Sequence, residues 1–139
     1  MRVLDTDHFS GWERGSEAGI RLRTKIELLK ADVFLTVITL EEQFRGWLAE
    51  IRGHHDPHRQ ITAYSKLQKQ TEAFANWTIL PWDGTSAELF LTLRRKGVRI
   101  GSLDLKIACI ALAHDLALLT RNTADFGQVP GLRFENWLD

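Results

Sequence analysis

Apolar residues fall into two patterns along this chain. Short unbroken runs come first: "RVL" (2–4), "VFLTVI" (33–38), "TILPW" (78–82) and "LALLT" (116–120). Such runs, without polar alternation, predict buried strands of a parallel sheet covered on both faces. The third is cut by Pro81, and "LRFENW" (132–137) supplies a short fifth candidate. Between these runs the spacing turns helical. "HFSGWERG" (8–15) predicts a short helix or turn ended by Gly15, and "SEAGIRLRTKIELLKA" (16–31) a helix capped by Ser16, with Ile20, Ile26 and Leu29 at helical spacing. In "TLEEQFRGWLAEIRG" (39–53), Leu40, Phe44, Trp47 or Leu48, and Ile51 share a side. The polar break "GHHDPHRQ" (53–60) places Pro57 at a helix start, and 59–77 reads as one long helix. "GTSAELFLTLRRKG" (84–97) is amphipathic and closed by Gly97. "SLDLKIACIALAHD" (102–115) is more apolar, and so predicted to be more buried.

Strand and helix alternate from end to end, with no repeat, linker or low-complexity tract. This predicts an α/β three-layer sandwich, with a central, mostly parallel sheet of four to five strands and helices on both faces. A chain of 139 residues suits a single domain, 1–139. In open α/β sheets, ligands bind beyond the carboxyl ends of the strands. The residues that follow each strand are therefore where function is to be sought.

Composition narrows the field. With 44% hydrophobic and 26% charged residues the chain reads as globular rather than disordered. A formal net charge of zero means that any nucleic-acid surface must be local. The one cysteine, Cys109, has no intrachain disulfide partner and sits in the apolar "KIACIALA". The start of the chain carries acids rather than a leader-like apolar stretch, and no run approaches the roughly 18 apolar residues of a membrane span. The expectation is a soluble, cytoplasmic protein with no membrane partner.

Carboxylates follow nearly every strand. Asp5 and Asp7 follow the first, Glu41 and Glu42 the second, and Asn122 and Asp125 the fourth, while Asp104 lies in the first turn of the apolar helix. Each has a structural reading. Thr39 with Glu42 has the spacing of a capping box, Asn122 with Asp125 has similar geometry, Asp7 can cap the helix after it, and Asp104 complements a helix dipole. Taken together they map to one edge of the expected sheet, which capping does not require. Clustered carboxylates repel unless a cation or proton lies between them. Oxygen-only clusters suit Mg²⁺ or Mn²⁺, which polarise a phosphodiester and activate water.

Four stretches also resemble a known family. "VLDTDHF", "VITLEEQFRG", "IGSLDLKIACIALAHDLALLTRNTADF" and "VPGLRFENW", in that order over nearly the whole chain, are similar to a PIN domain, and more narrowly to the VapC-type toxins of bacterial toxin–antitoxin pairs. The resemblance implies a Mg²⁺- or Mn²⁺-dependent endoribonuclease. It implies Asp5, Glu42, Asp104 and Asp125 as the acidic metal ligands, with Thr6, Thr120 and Asn122 as local supports. It further implies a small VapB-type antitoxin as partner and a homodimer. Asp7 stands where the family often has Asn or a small residue, and either joins the metal shell or caps; Glu41 competes with Glu42. Basic contacts to RNA would come from Arg45, Lys106 and Arg121, which are near the acids in sequence. The basic "LRRKGVR" (93–99) has no place assigned by sequence.

Other signals carry less. His54, His55 and His58 lack a Cys partner for a structural zinc site, so a polar loop is the simpler reading. His8 adjoins Asp7 and either packs or touches the acids. The five tryptophans could stack bases but are more simply core or interface residues, with Trp12 and Trp47 as candidates for a partner surface. Asp5-Thr6-Asp7 also fits the first motif of a HAD-type phosphatase, with Asp5 as nucleophile and Asp7 as acid/base. Phe9 stands where that motif expects Thr or Val. Asp83 is the only candidate for the acid that a receiver domain needs after its third strand. A non-catalytic binding module with the same fold is the remaining alternative.

Overall fold

Every strand is two to four residues long, so the sheet is held by what packs on it. In the computed structural model, which describes residues 1–139, the order is β1 (Arg2–Leu4), α1 (Thr6–Arg14), α2 (Glu17–Leu29), β2 (Val33–Thr36), α3 (Val37–Arg52), α4 (Gln60–Phe74), β3 (Ile79–Leu80), α5 (Gly84–Arg95), α6 (Ser102–Ala113), β4 (Ala117–Leu119), α7 (Thr123–Phe126) and β5 (Phe134–Glu135). The sheet runs β3-β2-β1-β4-β5, and every pairing is parallel. The expected α/β sandwich is therefore present, with all five strands and a wholly parallel sheet.

Alternation along each strand sorts its side chains onto the two faces. Val3, Leu118 and Leu80, with Phe34 and Phe134, point into one core with α5, α6 and Phe126 of α7. Leu4, Leu35 and Leu119, with Ile79, point into the other, where Phe9, Leu22, Phe44 and Phe74 arrive from α1, α2, α3 and α4. Phe9 stacks on Phe74 at 5.3 Å and meets Trp77 edge-on. The apolar helix is the most enclosed, with Leu105 and the run from Ile107 to Ala111 buried, as its composition predicts.

Several boundaries differ from expectation. The second strand ends at Thr36, and Val37 and Ile38 begin α3 instead of ending the strand. The reason is local: the Thr36 side chain accepts from the Thr39 backbone N–H and starts the helix three residues early. The cap is thus Thr36, not Thr39. Likewise Asp5, not Asp7, caps α1, accepting from the His8 N–H at 2.8 Å. Ser16 caps α2 as expected, but its inward residues are Leu22 and half-buried Ala18 and Ile26; Ile20 and Leu29 face outward. On α3 it is Trp47, not exposed Leu48, that sides with Phe44 and Ile51. Pro57 lies in a turn before α4, which is shorter than the 59–77 expected.

Candidate active site

A parallel sheet brings all its carboxyl ends to one edge. The strands β2, β1 and β4 are neighbours at its centre, and Asp5, Glu42 and Asp125 follow them in the chain. Helix α6 leads back into β4 through a short turn, so it runs against the strands and its first turn, with Asp104, returns to the same edge. The chain also reverses direction across the sheet between β1 and β4, the switch point where α/β folds open a crevice.

Asp5, Glu42 and Asp125 are each held by their own neighbours. Asp5 is 5% exposed, its N–H donates to the Leu119 carbonyl at 3.0 Å, and its Oδ1 is occupied by the α1 cap. Glu42 Oε1 accepts from the Thr6 hydroxyl at 2.7 Å. The Thr6 proton being committed there, the Thr39 hydroxyl, 3.0 Å away, donates to Thr6. Thr39, marked in the sequence by its capping-box spacing with Glu42, instead supports that acid through Thr6. Asp125 Oδ2 accepts from Asn122 Nδ2 at 2.9 Å, while Asn122 Oδ1 caps the Asp125 N–H. Buried Thr120 accepts from the Asn122 N–H at 3.0 Å. Asp7 is exposed beside them.

The electrostatics tie the group together. The Asp104 carboxyl is pushed up to about 6, first by burial and then by Glu42, Asp5, Asp125 and Asp7. Glu42, Asp104, Asp125 and Asp7 enter no ion pair, and the only basic side chain within 4.0 Å of Asp5 is His8. No three of the acidic, histidine or cysteine side chains form a closed ligand set. The donor chemistry, several carboxylates crowding one half-buried acid without a cationic partner, fits a hard divalent cation.

The basic candidates are more dispersed. Exposed Arg45 pairs with Glu41 at 2.5 Å, which leaves Glu42 as the acid facing Thr6. Arg121 pairs with Asp139 at 3.2 Å. The Lys106 ammonium lies 5.6 Å from the Trp82 ring centroid. Of the "LRRKGVR" cluster, Arg94 is spent on the carbonyls of Val98 and Ile100. His54, His55 and His58 stand in the turn between α3 and α4, His58 beside Asp56 at 3.8 Å, and form no set of three metal ligands. Asp83 caps α5. Trp12 packs edge-on against Trp77 with Arg23 over its face, and Trp47 donates to Gln70.

The PIN-domain family model matches residues 2–132. The chain belongs to the PIN-domain family. As a PIN domain it is similar to the ribonuclease VapC2 of Rickettsia felis, with 44% identity over 50 residues, 36% of this chain and 37% of that protein's length. It is similar over more of its length to the tRNA(fMet)-specific endonuclease VapC of Salmonella typhimurium, with 26% identity across 84% of this chain and 83% of that one. Among solved structures, VapBC2 of Rickettsia felis bound to a promoter DNA fragment matches with a TM-score of 0.68 at 24% identity, covering 98% of each chain. FitAcB of Neisseria gonorrhoeae matches with a TM-score of 0.72 at 24% identity, covering 99% of this chain and 98% of that one. At that identity these structures speak for the fold alone. Membership in this family removes the basis for the phosphatase and receiver-domain alternatives.

Proposed function

We propose that this PIN domain is the toxin of a VapBC-type toxin–antitoxin pair: a Mg²⁺-dependent endoribonuclease, also served by Mn²⁺. The observation that carries the reading is the PIN-domain match over residues 2–132, together with Asp5, Glu42 and Asp125 following neighbouring central strands of the parallel sheet. Asp5, Glu42, Asp104 and Asp125 hold the cation. The ion supplies charge neutralisation and Lewis acidity at the scissile phosphodiester. Thr6 and Thr39 fix the rotamer of Glu42, and Thr120 and Asn122 fix that of Asp125. Asp7, exposed at the rim, adds negative charge that favours cation uptake. Arg45, Lys106 and Arg121 contact the RNA backbone, Arg45 and Arg121 exchanging their carboxylate partners for phosphates.

The curated relatives are named as ribonucleases and a tRNA(fMet)-specific endonuclease, and the structural neighbours include a toxin–antitoxin complex from Klebsiella pneumoniae and a member of the VapBC family of toxin–antitoxin systems from Mycobacterium tuberculosis. The former favour RNA as substrate, and the latter a VapB-type antitoxin as partner. A surface suited to a partner is available on α2, where exposed Ile20, Leu28 and Leu29 make an apolar strip beside Arg21 and Lys25. The working form is a cytoplasmic homodimer of a single-domain chain. No helix is long and apolar enough to cross a membrane.

The test is RNA cleavage by purified protein with Mg²⁺, with Mn²⁺ and with EDTA, beside Asp5→Asn and Asp104→Asn. The substrate is a structured RNA pool including tRNA, with p-nitrophenyl phosphate as control. Metal-dependent cutting lost in both variants is the expected result. Silence on RNA together with no calorimetric metal binding would leave a non-catalytic binding module.

A further inference from the structure

Helix α3 carries an open cleft that begins at Glu42 and runs along one flank. It measures about 290 Å³ and is lined by Glu42, Gln43, Gly46, Trp47 and Glu50. The spacing explains its shape. Glu42, Gly46 and Glu50 are four residues apart and fall on one stripe of the helix, with Gln43 and Trp47 on the next. Gly46 is the gap in that stripe: a Cβ there would meet nothing within 4 Å. Glycine is a poor helix former, and nothing packed against this one requires it.

One wall of the cleft is an aromatic ring held in place. Trp47 is half-buried, and its indole N–H donates to Gln70 Oε1 at 3.3 Å. Gln70, 5% exposed, donates in turn to Glu13 Oε2 at 3.0 Å. The link ties α3 to α4 and α1, so the ring's orientation is set before anything binds. The ammonium of exposed Lys66, on α4, stands 5.4 Å from the ring centroid and enters no ion pair. The polar groups of the cleft are acceptors. Glu50 enters no ion pair either, and an ionised carboxylate accepts without donating. Gln43 Nε2 is spent on Ser10 Oγ at 3.0 Å, which leaves its carbonyl oxygen. Such a wall repels phosphate. A flat ring bearing an amino group meets both an aromatic surface and acceptors there.

We propose that the Trp47 cleft is a nucleobase pocket: an unpaired base of the RNA beside the cleaved bond stacks on the indole, and Glu50 with the Gln43 carbonyl accepts from its amino group. Trp47 and Glu50 thereby select adenine, cytosine or guanine over uracil, whose pairing edge carries two carbonyl oxygens. Lys66 takes the phosphate of the same nucleotide. The proposal rests on the ribonuclease reading and deepens it, since Glu42 belongs to both the acidic edge and the cleft.

Two variants test it. Gly46→Leu fills the cleft; the added carbons enter open space and leucine is the better helix former, so Tm should hold or rise. Glu50→Gln keeps the shape and exchanges one acceptor oxygen for a donor. Binding is measured with short oligo(A), oligo(C) and oligo(U) in EDTA, where metal-dependent cutting does not intervene. It is followed by NMR on the indole N–H signals of the five tryptophans, the Trp47 signal being the one that Trp47→Phe lacks. That signal should shift with oligo(A) and oligo(C) at concentrations about 5-fold or more below those that oligo(U) needs. Gly46→Leu should abolish the shift, and Glu50→Gln should bring oligo(U) level with the others. On mixed-sequence single-stranded RNA with Mn²⁺, the products of the unaltered protein should be poor in uracil at one fixed position from the cut. Gly46→Leu should lose that bias and raise KM about 5-fold or more, with kcat largely held. An indole response equal for all three oligonucleotides, or cleavage with KM and bias unchanged in Gly46→Leu, overturns the proposal. So does a cleft that seats a partner peptide instead, since neither RNA readout then moves. If the unaltered protein cuts no RNA while the Trp47 signal still selects amino-bearing bases, the ribonuclease reading fails and the pocket stands.

Discussion

The least settled charge in the molecule is Asp104. Its carboxyl stands at about 6, against 3.8 for a free aspartate, because burial and four neighbouring carboxylates disfavour its ionised form. A raised pKa in the folded state means that folding favours the protonated acid. This group therefore adds stability at low pH and loses it as pH rises through about 6. The Asp104→Asn variant keeps the shape of the neutral acid and cannot ionise. In metal-free buffer its Tm should match that of the unaltered protein near pH 4 and exceed it increasingly up to about pH 7. Thermal melts across that range check this, and a constant offset would contradict it. Thr6 makes a second residue-level case. Thr6→Val removes the donor to Glu42 Oε1 while conserving bulk. It should lower kcat about 10-fold or more and alter unfolding free energy by only about 1 kcal/mol, as read by RNA cleavage and urea titration.

At the level of elements, helix starts decide where the acids point. Thr36 begins α3 and so sets the turn on which Glu42 lies. Thr36→Ala should cost about 1 kcal/mol in denaturant unfolding, and it loosens the site as well as the fold, since the same start carries Thr39. The crossing of α1 on α2 is tighter still. A Cβ on Gly19 would stand 2.1 Å from the Gly11 carbonyl oxygen, and that obstacle is backbone rather than a movable side chain. Gly19→Ala should therefore destabilise by about 1–3 kcal/mol, measured by urea titration, even though alanine is the better helix former. Helix α6 shows the opposite economy: it is buried along Leu105 and Ile107–Ala111 and carries half-buried Asp104 in its first turn.

For the whole molecule, the arrangement of charge is the governing feature. The formal net charge is zero, yet Asp104 feels Glu42, Asp5, Asp125 and Asp7, while Arg45 and Arg121 pair with Glu41 and Asp139. Mn²⁺ at 100 times its dissociation constant should stabilise the folded protein by about 2.7 kcal/mol. The shift should be absent from Asp104→Asn, as followed by thermal melts with and without EDTA. The exposed strip of Ile20, Leu28 and Leu29 lies on α2, apart from these acids.

Sequence alone determined the alternation of strand and helix, the α/β class and the residues that follow each strand, because period and turn chemistry are local properties. It also brought forward the acids after the strands and Asp104 in a helix first turn, since such acids are visible without a fold, while the choice of Asp5, Glu42, Asp104 and Asp125 among them came from the resemblance to PIN domains. The tertiary structure decided what local patterns do not carry. It moved a strand end from Ile38 to Thr36, because one side-chain cap outweighed two β-branched residues. It turned Ile20 and Leu29 outward, because Leu22 had the closer approach to the core. It joined Thr6 to Glu42, 36 residues apart, and His8 to Trp137, 129 apart. Contacts across such separations depend on strand order, which is set by the burial of both faces of the sheet together and not by any one segment.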